Sequence, residues 1–371
     1  MTESYPHKTH TLRRASLRTR MAEHELDAML ITEPRNIRYL TGFTGSNAAL
    51  LVHGRGEDRT VFCTDGRYVQ QAGQEVGELT TVIERACAAA LVRRAAAEPD
   101  EHGRTGFESR HVSVAEFDAL TQQAEAIELR RTTGLAEQLR IVKDSAEVDT
   151  IRTACAAADR ALTELLEHGE IRAGRTERQV ARALENRMLD NGAAGPAFET
   201  IVATGANSAV PHHRPTDAEL AVGDLVKLDF GARIDGYHSD MTRMLVIGSP
   251  ADWQRELYQL VRTAQAAGSG AAVAGARTAA VDAAARDVID GAGHGEEFVH
   301  GLGHGVGLDV HEAPRLAMEA TGTLAAGMTV TVEPGVYLPG RGGVRIEDTL
   351  VVHEGGNEIL TLSTKDLVTV S

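Results

Sequence analysis

Asp235-Gly236 constrains more of this chain than any other pair of residues. Both central positions of a type I′ hairpin turn need positive φ, and Asp-Gly supplies them. Upstream, Val226, Leu228 and Phe230 alternate with Lys227, Asp229 and Gly231, the period of a strand with two unlike faces. A two-residue turn then sets the register: Ile234 opposite Tyr237, Gly231 opposite Asp240, and Asp229 opposite Thr242. Asp229 and Asp240 fall on one face as diagonal neighbours, at most about 7–8 Å apart between backbone positions. Two carboxylates aimed at one point repel unless a proton or a cation sits between them. Gly231, opposite Asp240, is expected to leave room for that third party. The bland alternative is a hairpin with two solvated acids.

Composition narrows the setting. At 371 residues the chain has room for two or three domains, and at 42% hydrophobic it can build substantial cores. A net charge of −15 argues against a nucleic-acid-binding surface. No apolar run is long enough to span a membrane, and the stretch from Met1 to Met21 is polar and basic without an apolar signal core. Arg13-Arg14 is not followed by such a core either, so a cytoplasmic protein is expected. Cys63, Cys87 and Cys155 are few, odd in number and widely spaced, which suits a reducing compartment and small core residues.

Up to about residue 130 short apolar runs alternate with helical stretches. Strands are expected at 28–31, 49–52, 60–63, 81–83 and 127–129, and helices at 12–23, 68–72, 86–97 and 114–124. This predicts an α/β domain with a mixed sheet over residues 1–138. His7, His10, His24, His53, His102 and His111 are scattered here and read as solvated. After a boundary at 131–144, a second domain spans 144–371. Asp144 or Ser145 caps a long helix, Thr176 with Gln179 forms a capping box, a third helix runs from Trp253 to Ala267, and Thr278 caps a fourth. Arg175-Thr176 leading to Phe198, and Arg277-Thr278 leading to Phe298, form a faint repeat about a hundred residues apart. That spacing suggests two similar halves about a pseudo-twofold axis.

Two later strands alternate cleanly. In Met328–Pro334, Thr331 and Glu333 share one face; in Gly343–Thr349, Arg345 and Glu347 do. Before them comes the run His300-Gly-Leu-Gly303-His304-Gly-Val-Gly307-Leu-Asp-Val-His311-Glu312. It lacks the third glycine and the strand-loop-helix frame of a dinucleotide loop. Structural histidines are the remaining bland reading, but three in twelve residues of a glycine-rich loop point to chemistry. Asp229, Asp240, Glu333 and Glu347 with His304 would supply a charge of about minus four, which two divalent cations would neutralise. Hard oxygen donors, one imidazole and no thiolate favour Mn²⁺, Co²⁺, Fe²⁺ or Zn²⁺, with Mn²⁺ expected first. Two such ions about 3.5–4 Å apart would share a water and make hydroxide near neutral pH.

These residues, in this order, resemble the metal ligands of the pita-bread metallopeptidases of family M24. The Asp229-to-Asp240 spacing, the His300–Glu312 run, Val332-Glu333-Pro334-Gly335, Gly343-Val-Arg345-Ile-Glu347-Asp348 and Pro211-His212 carry the resemblance. Tyr39-Leu-Thr-Gly-Phe-Thr-Gly-Ser46 and Thr64-Asp65-Gly-Arg67-Tyr68 resemble the creatinase/prolidase-type N-terminal domain, most nearly that of short bacterial aminopeptidase P-like proteins. The resemblance implies an α/β domain followed by an α+β pita-bread domain with pseudo-twofold halves, and a homodimer.

It also implies roles. Asp229 would hold one ion, Asp240 and Glu347 would bridge both, and His304 and Glu333 would bind the other, with Glu333 shuttling the proton of the bridging water. His212 and His311 would flank the scissile carbonyl and assist catalysis. His300 would line the substrate pocket, and Arg345 would orient Glu347 or touch substrate. His213 has no implied role and reads as a solvated loop residue; Asp348 reads as a support.

The implied activity is hydrolysis before a proline nitrogen, on peptides with proline second. An aminopeptidase P trims longer Xaa-Pro peptides; a prolidase cleaves Xaa-Pro dipeptides and must cap their free carboxylate. The N-terminal motifs favour the aminopeptidase, and Arg214 is the candidate cap for the alternative. Methionine aminopeptidases lack this N-terminal domain, and creatinases have lost the ligands. A non-catalytic pita-bread binding module is disfavoured by the complete ligand set and the negative charge.

Overall fold

The computed structural model describes residues 5–371, with side chains from residue 8 onward. The chain divides into two compact units, Met1–Arg140 and Ile141–Ser371.

The first unit is a six-stranded mixed sheet. Its strands run in the spatial order Thr80–Ile83, Val61–Thr64, Ala48–His53, Ala28–Ile31, Arg104–Glu108, Glu128–Thr132. The Cys87–Ala97 helix packs Leu91, Val92 and Ala95 onto it. The Arg104–Glu108 strand gives little hydrophobic signal, yet it lies parallel to Ala28–Ile31 near the sheet centre. There Gly106 lets Leu26 and Met29 close in, since a Cβ would lie 2.7 and 2.8 Å from their side chains. His53 and His102 are buried, 0% and 5% exposed, with rings edge to face at 5.1 Å, so both depart from the solvated reading. They fill the sheet margin as aromatic bodies. The side chain of His7 lies outside the described residues.

The second unit is built twice. Asp144 caps the Ser145–Glu167 helix in a reciprocal box with Glu147, and Thr176 does the same with Gln179 for Glu177–Asp190. The second half repeats this pair as Asp252–Ala271 and Thr278–Gly291. Here Thr278 departs from the capping role. It is the first helical residue, and its hydroxyl donates to Gly322 O at 3.0 Å. The repeat is visible in the backbone. Gly174 N donates to Leu220 O and Leu220 N to Arg175 O; Gly275 N donates to Leu324 O and Leu324 N to Ala276 O.

Each half contributes an antiparallel strand pair. Leu225–Phe230 pairs with Met241–Ile247, with Asp229 opposite Thr242; Thr329–Val332 pairs with Asp348–His353, with Val332 opposite Asp348. Ile234 faces Tyr237 across Asp235 and Gly236, which take φ of 45° and 74°. The expected register therefore holds throughout the first hairpin. Val226, Leu228 and Phe230 pack on the first helix pair. Leu225, Met244 and Val246, on the face shared with Asp229, join the core of the second half. The carboxylate-bearing face is thus enclosed between the halves, and the Leu225–Phe230 and Met241–Ile247 strands are buried along their whole length.

Gly231 serves a different purpose from the one its position suggests. A Cβ there would lie 1.8 Å from the Ser239 carbonyl oxygen, so the facing backbone takes the space. The same holds in the second half, where a Cβ on Gly303 would meet Thr331 O at 2.0 Å and one on Gly305 would meet Ala313 O at 2.2 Å. Gly231→Ala is therefore expected to cost at least about 2 kcal/mol, because backbone cannot rotate out of the way. Gly270→Ala, in a helix with open space around it, should hold or raise stability. Thermal and denaturant unfolding of the two variants checks the contrast.

Candidate metal centre

Strand alternation delivers the acids to one enclosed point. Asp229 is 7% exposed, Asp240 4% and Glu347 2%. Ligand atoms of Asp240, His304 and Glu347 lie within 4.8 Å of one another. His304 Nε2 is 3.7 Å from Asp240 Oδ2 and 3.3 Å from Glu333 Oε1. The reading of two solvated acids is excluded.

The orientation of each group has a cause. His304 Nδ1 lies 3.0 Å from Gly305 O, which can only accept, so Nδ1 carries the hydrogen and Nε2 turns to the carboxylates. Thr331 Oγ1 accepts from His304 N at 3.1 Å and approaches Glu333 Oε1 at 3.3 Å. Thr242 donates from Oγ1 to Glu347 Oε2 at 2.7 Å, and its carbonyl accepts from Glu347 N at 3.2 Å. Thr349 Oγ1 donates to Asp240 O at 2.7 Å. Asp348 is fully buried and receives Arg243 at 2.8 Å, Gln265 and Thr361 at 2.9 Å, and Lys365. It ties the second hairpin to its surroundings.

Arg345 is 2% exposed, and its guanidinium is fully engaged. It pairs with Asp229 Oδ2 and donates to Thr242 Oγ1 at 3.0 Å, Tyr337 Oη at 2.9 Å and Pro211 O at 3.1 Å. It reaches Glu347 through Thr242 and grips Asp229 directly. Asp229 Oδ1 is buried with no hydrogen-bond partner among the described residues.

The electrostatics follow from enclosure. Burial, then the neighbouring carboxylates, pushes Asp240 and Glu347 well above the usual carboxylate range. Burial also raises Asp229, against the pull of Arg345. Burial works the same way on Glu333, but the hydrogen bond and charge of His304 bring it down to about 2. Burial opposes the charge on His304, yet Glu333 raises it. So many acids cannot all be ionised at this distance unless cations sit among them. The orphaned Asp229 Oδ1, the inward His304 Nε2 and the hard oxygen donors all fit divalent ions.

Around this core lie the histidines. His300 donates from Nδ1 to Gly301 O at 2.8 Å, so its Nε2 accepts from Tyr337 Oη, also at 2.8 Å. Burial lowers its pKa and keeps the ring neutral. Both nitrogens are thus taken by the protein. His311 is exposed, with its ring 4.4 Å from that of His304; burial of part of the ring, then the His304 charge, lowers it. His212 is exposed and close enough for its charge to act on both His300 and His311. His213 departs from the solvated reading: its Nε2 is 2.8 Å from Glu177 Oε2, which is wholly buried. His213 is thus held inward by Glu177 while its neighbour His212 is exposed.

Sequence reading also missed Tyr337, Lys227 and Arg315. Lys227 is 0% exposed and lies on the Asp229 face. Arg315 stands directly opposite His304 across the strand pair, so the two side chains share a face. It is exposed, and no acceptor is paired with it among the described residues. Arg214, the cap expected from sequence, is instead 3.1 Å from Glu199 at the surface. A cavity of about 950 Å³ runs beside Arg315, lined also by His300, Gly301, Val299, Pro314 and Met318.

Two pseudo-twofold halves that enclose a carboxylate-imidazole cluster between them define a pita-bread metalloenzyme. The chain belongs to metallopeptidase family M24, which it matches over residues 149–354, and residues 13–142 match the creatinase/prolidase N-terminal domain. It is 35% identical to the Xaa-Pro dipeptidase of Pyrococcus furiosus over 94% of this chain and 97% of that one. It superposes on an Xaa-Pro dipeptidase from Bacillus anthracis with a TM-score of 0.91 at 37% identity, over 97% and 99% of the two chains. An X-Pro aminopeptidase from Thermotoga maritima superposes with a TM-score of 0.87 at 34% identity, over 96% and 99%.

Ion binding must displace the protons that burial holds on Asp240 and Glu347. A carboxyl whose pKa is raised by folding stabilises the fold below its unfolded value, and that contribution is lost as pH rises through the folded value. Chelated protein should therefore gain from mild acid at these two groups. Mn²⁺ should raise the thermal midpoint most at higher pH, its affinity falling about tenfold for each unit the pH drops, per proton displaced. Asp240→Asn should abolish the rise, as calorimetry at pH 6 and pH 8 would read directly.

Proposed function

We propose that this chain is a metal-dependent peptidase acting on Xaa-Pro substrates and that, of the two forms weighed, it is the dipeptidase. The peptidase step draws support from the ion-binding cluster with His212 and His311 beside it. The dipeptidase form draws support from Arg315, a free cation facing His304, and from the descriptions of the Pyrococcus and Bacillus relatives. The aminopeptidase reading keeps the N-terminal motifs and the Thermotoga structure on its side. The catalytic residues fall within 144–371, and residues 1–138 form the accessory domain.

Asp229, Asp240, His304, Glu333 and Glu347 would hold two divalent ions, Mn²⁺ foremost. When bound, such ions polarise a carbonyl and ionise water near neutral pH. The protein's own groups do the rest. Arg315 takes the proline carboxylate of the dipeptide in a charge-assisted pair. That contact holds the peptide in one register, with its Xaa–Pro bond over the cluster. The Pro314 and Val299 walls of the cavity suit the proline ring, and solvent is displaced as it enters. His212 and His311 flank the carbonyl and stabilise charge that grows on its oxygen. The proline nitrogen has no hydrogen and leaves only when protonated, so Glu333 passes it the proton taken from water. Arg345, with each guanidinium nitrogen engaged by protein groups, positions Asp229.

Purified protein with Mn²⁺ should cleave Ala-Pro and leave Ala-Pro-Ala nearly untouched. Arg315→Gln should raise KM for Ala-Pro roughly thirtyfold, the worth of about 2 kcal/mol in a charge-assisted contact, with a smaller change in kcat. Efficient release of Ala from the tripeptide, with Arg315→Gln indifferent, would transfer the assignment to the aminopeptidase.

A further inference from the structure

Two buried side chains outside the carboxylate cluster, Lys227 and Glu177, hold the same stretch of chain. Lys227 lies two residues before Asp229 and is 0% exposed. Its Nζ donates to Val210 O at 2.6 Å and to Ser208 O and Pro211 O, each at 3.2 Å. Three backbone carbonyls thus surround the amine, whose pKa burial pulls down to about 6. Arg345 Nη1 adds a second donor to Pro211 O at 3.1 Å.

Glu177, the first residue of its helix, is also 0% exposed. One carboxylate oxygen accepts from Thr204 N and Asn207 Nδ2, both at 2.9 Å. The other accepts from His213 Nε2 and Thr216 N at 2.8 Å and Thr216 Oγ1 at 2.7 Å. Residues 204–216 are thus tied to a buried lysine and a buried carboxylate. His212, exposed, sits between Pro211 on the Lys227 side and His213 on the Glu177 side.

Enclosing a lysine and a glutamate is costly, and apolar side chains could close a surface loop at less expense. The cost is understandable if one residue of the loop must be fixed to within a fraction of an ångström. We propose that Lys227 and Glu177 are positioning residues for His212, holding its imidazole against the scissile carbonyl. The proposal rests on the Xaa-Pro peptidase reading of the site.

Lys227→Met keeps the length of the side chain and removes the donors. Its kcat on Ala-Pro should fall at least about tenfold with KM within about threefold, since small misplacements of a group acting in the transition state cost that much. In a His212→Ala background the same substitution should cost less than about twofold, because the two residues act as one unit. Glu177→Gln should show the same pattern, with Mn²⁺ stoichiometry unchanged. An equal loss with and without His212 overturns the proposal. Should Lys227→Met fail to hold its ions, Glu177→Gln, on the helix side of the loop, decides by the same cycle. A wild-type protein that cleaves neither Ala-Pro nor Ala-Pro-Ala overturns the peptidase reading instead. Amide exchange over residues 208–214 then tests the clamp alone: it should speed up at least about tenfold in either variant, and unchanged exchange refutes it.

Discussion

Mutual repulsion among buried carboxylates governs this structure. At an effective dielectric constant of 20, two unit charges 4 Å apart interact by about 4 kcal/mol, and ligand oxygens of Asp240 and Glu347 lie within 4.8 Å of each other. The fold must hold these groups together against that force, so the supports are rigid: two antiparallel hairpins with apolar cores on their outer faces. Val226, Leu228 and Phe230 bury one side of the first strand while Asp229 stands on the other. Release of apolar surface from water on one face offsets the charge held on the opposite face. Arg345 is the only arginine paired with the carboxylate groups of the cluster among the described residues, and it reaches Asp229 and, more distantly, Glu333.

The duplication of the helix-and-hairpin unit explains how such a cluster can be built. Neither half carries a complete site. Asp229 and Asp240 come from the first hairpin, Glu333 and Glu347 from the margins of the second, and His304 from the strand beside it. The halves are joined where the acids meet: Thr242 binds Glu347 through both its carbonyl and its hydroxyl. A threonine suits this position because its hydroxyl donates to a carboxylate without adding charge. Arg243, next along the strand, secures the same junction by donating to Thr242 O and Glu347 O.

Local chemistry was what made much of this readable in the sequence. Asp235-Gly236 sets a turn, the turn sets a register, and the period of two then assigns faces, so Asp229 and Asp240 could be paired before any fold was known. Capping boxes at Asp144 and Thr176 are equally local. What stayed hidden depends on partners far along the chain. His213 looks solvated until Glu177 is brought beside it; Lys227 looks like a polar-face lysine until three loop carbonyls surround it. Arg315 becomes visible only when the Glu312–Leu316 strand is laid against His304. Gly231 is instructive in the other direction: its position was legible, but its purpose lay in the closeness of the Ser239 backbone, which no sequence period encodes.

The placement of Arg315 bears on how one scaffold can support two specificities. The chain carries a net charge of −15, and an Xaa-Pro dipeptide, were it the substrate, would bring a carboxylate close to an acidic cluster. Without a local cation that carboxylate is repelled from the very point where its scissile bond must lie. On the dipeptidase reading, Arg315 would offset that repulsion locally, opposite charges a few ångströms apart attracting. Adding a residue to the substrate moves its carboxylate onward by about 3.5 Å, the length of one extended residue. The cation then faces a peptide carbonyl, and the charged contact is lost while the cost of desolvating the guanidinium remains. Discrimination between dipeptide and longer peptide can therefore reside in one side chain opposite an ion ligand, leaving the hairpins, the halves and the carboxylates unchanged.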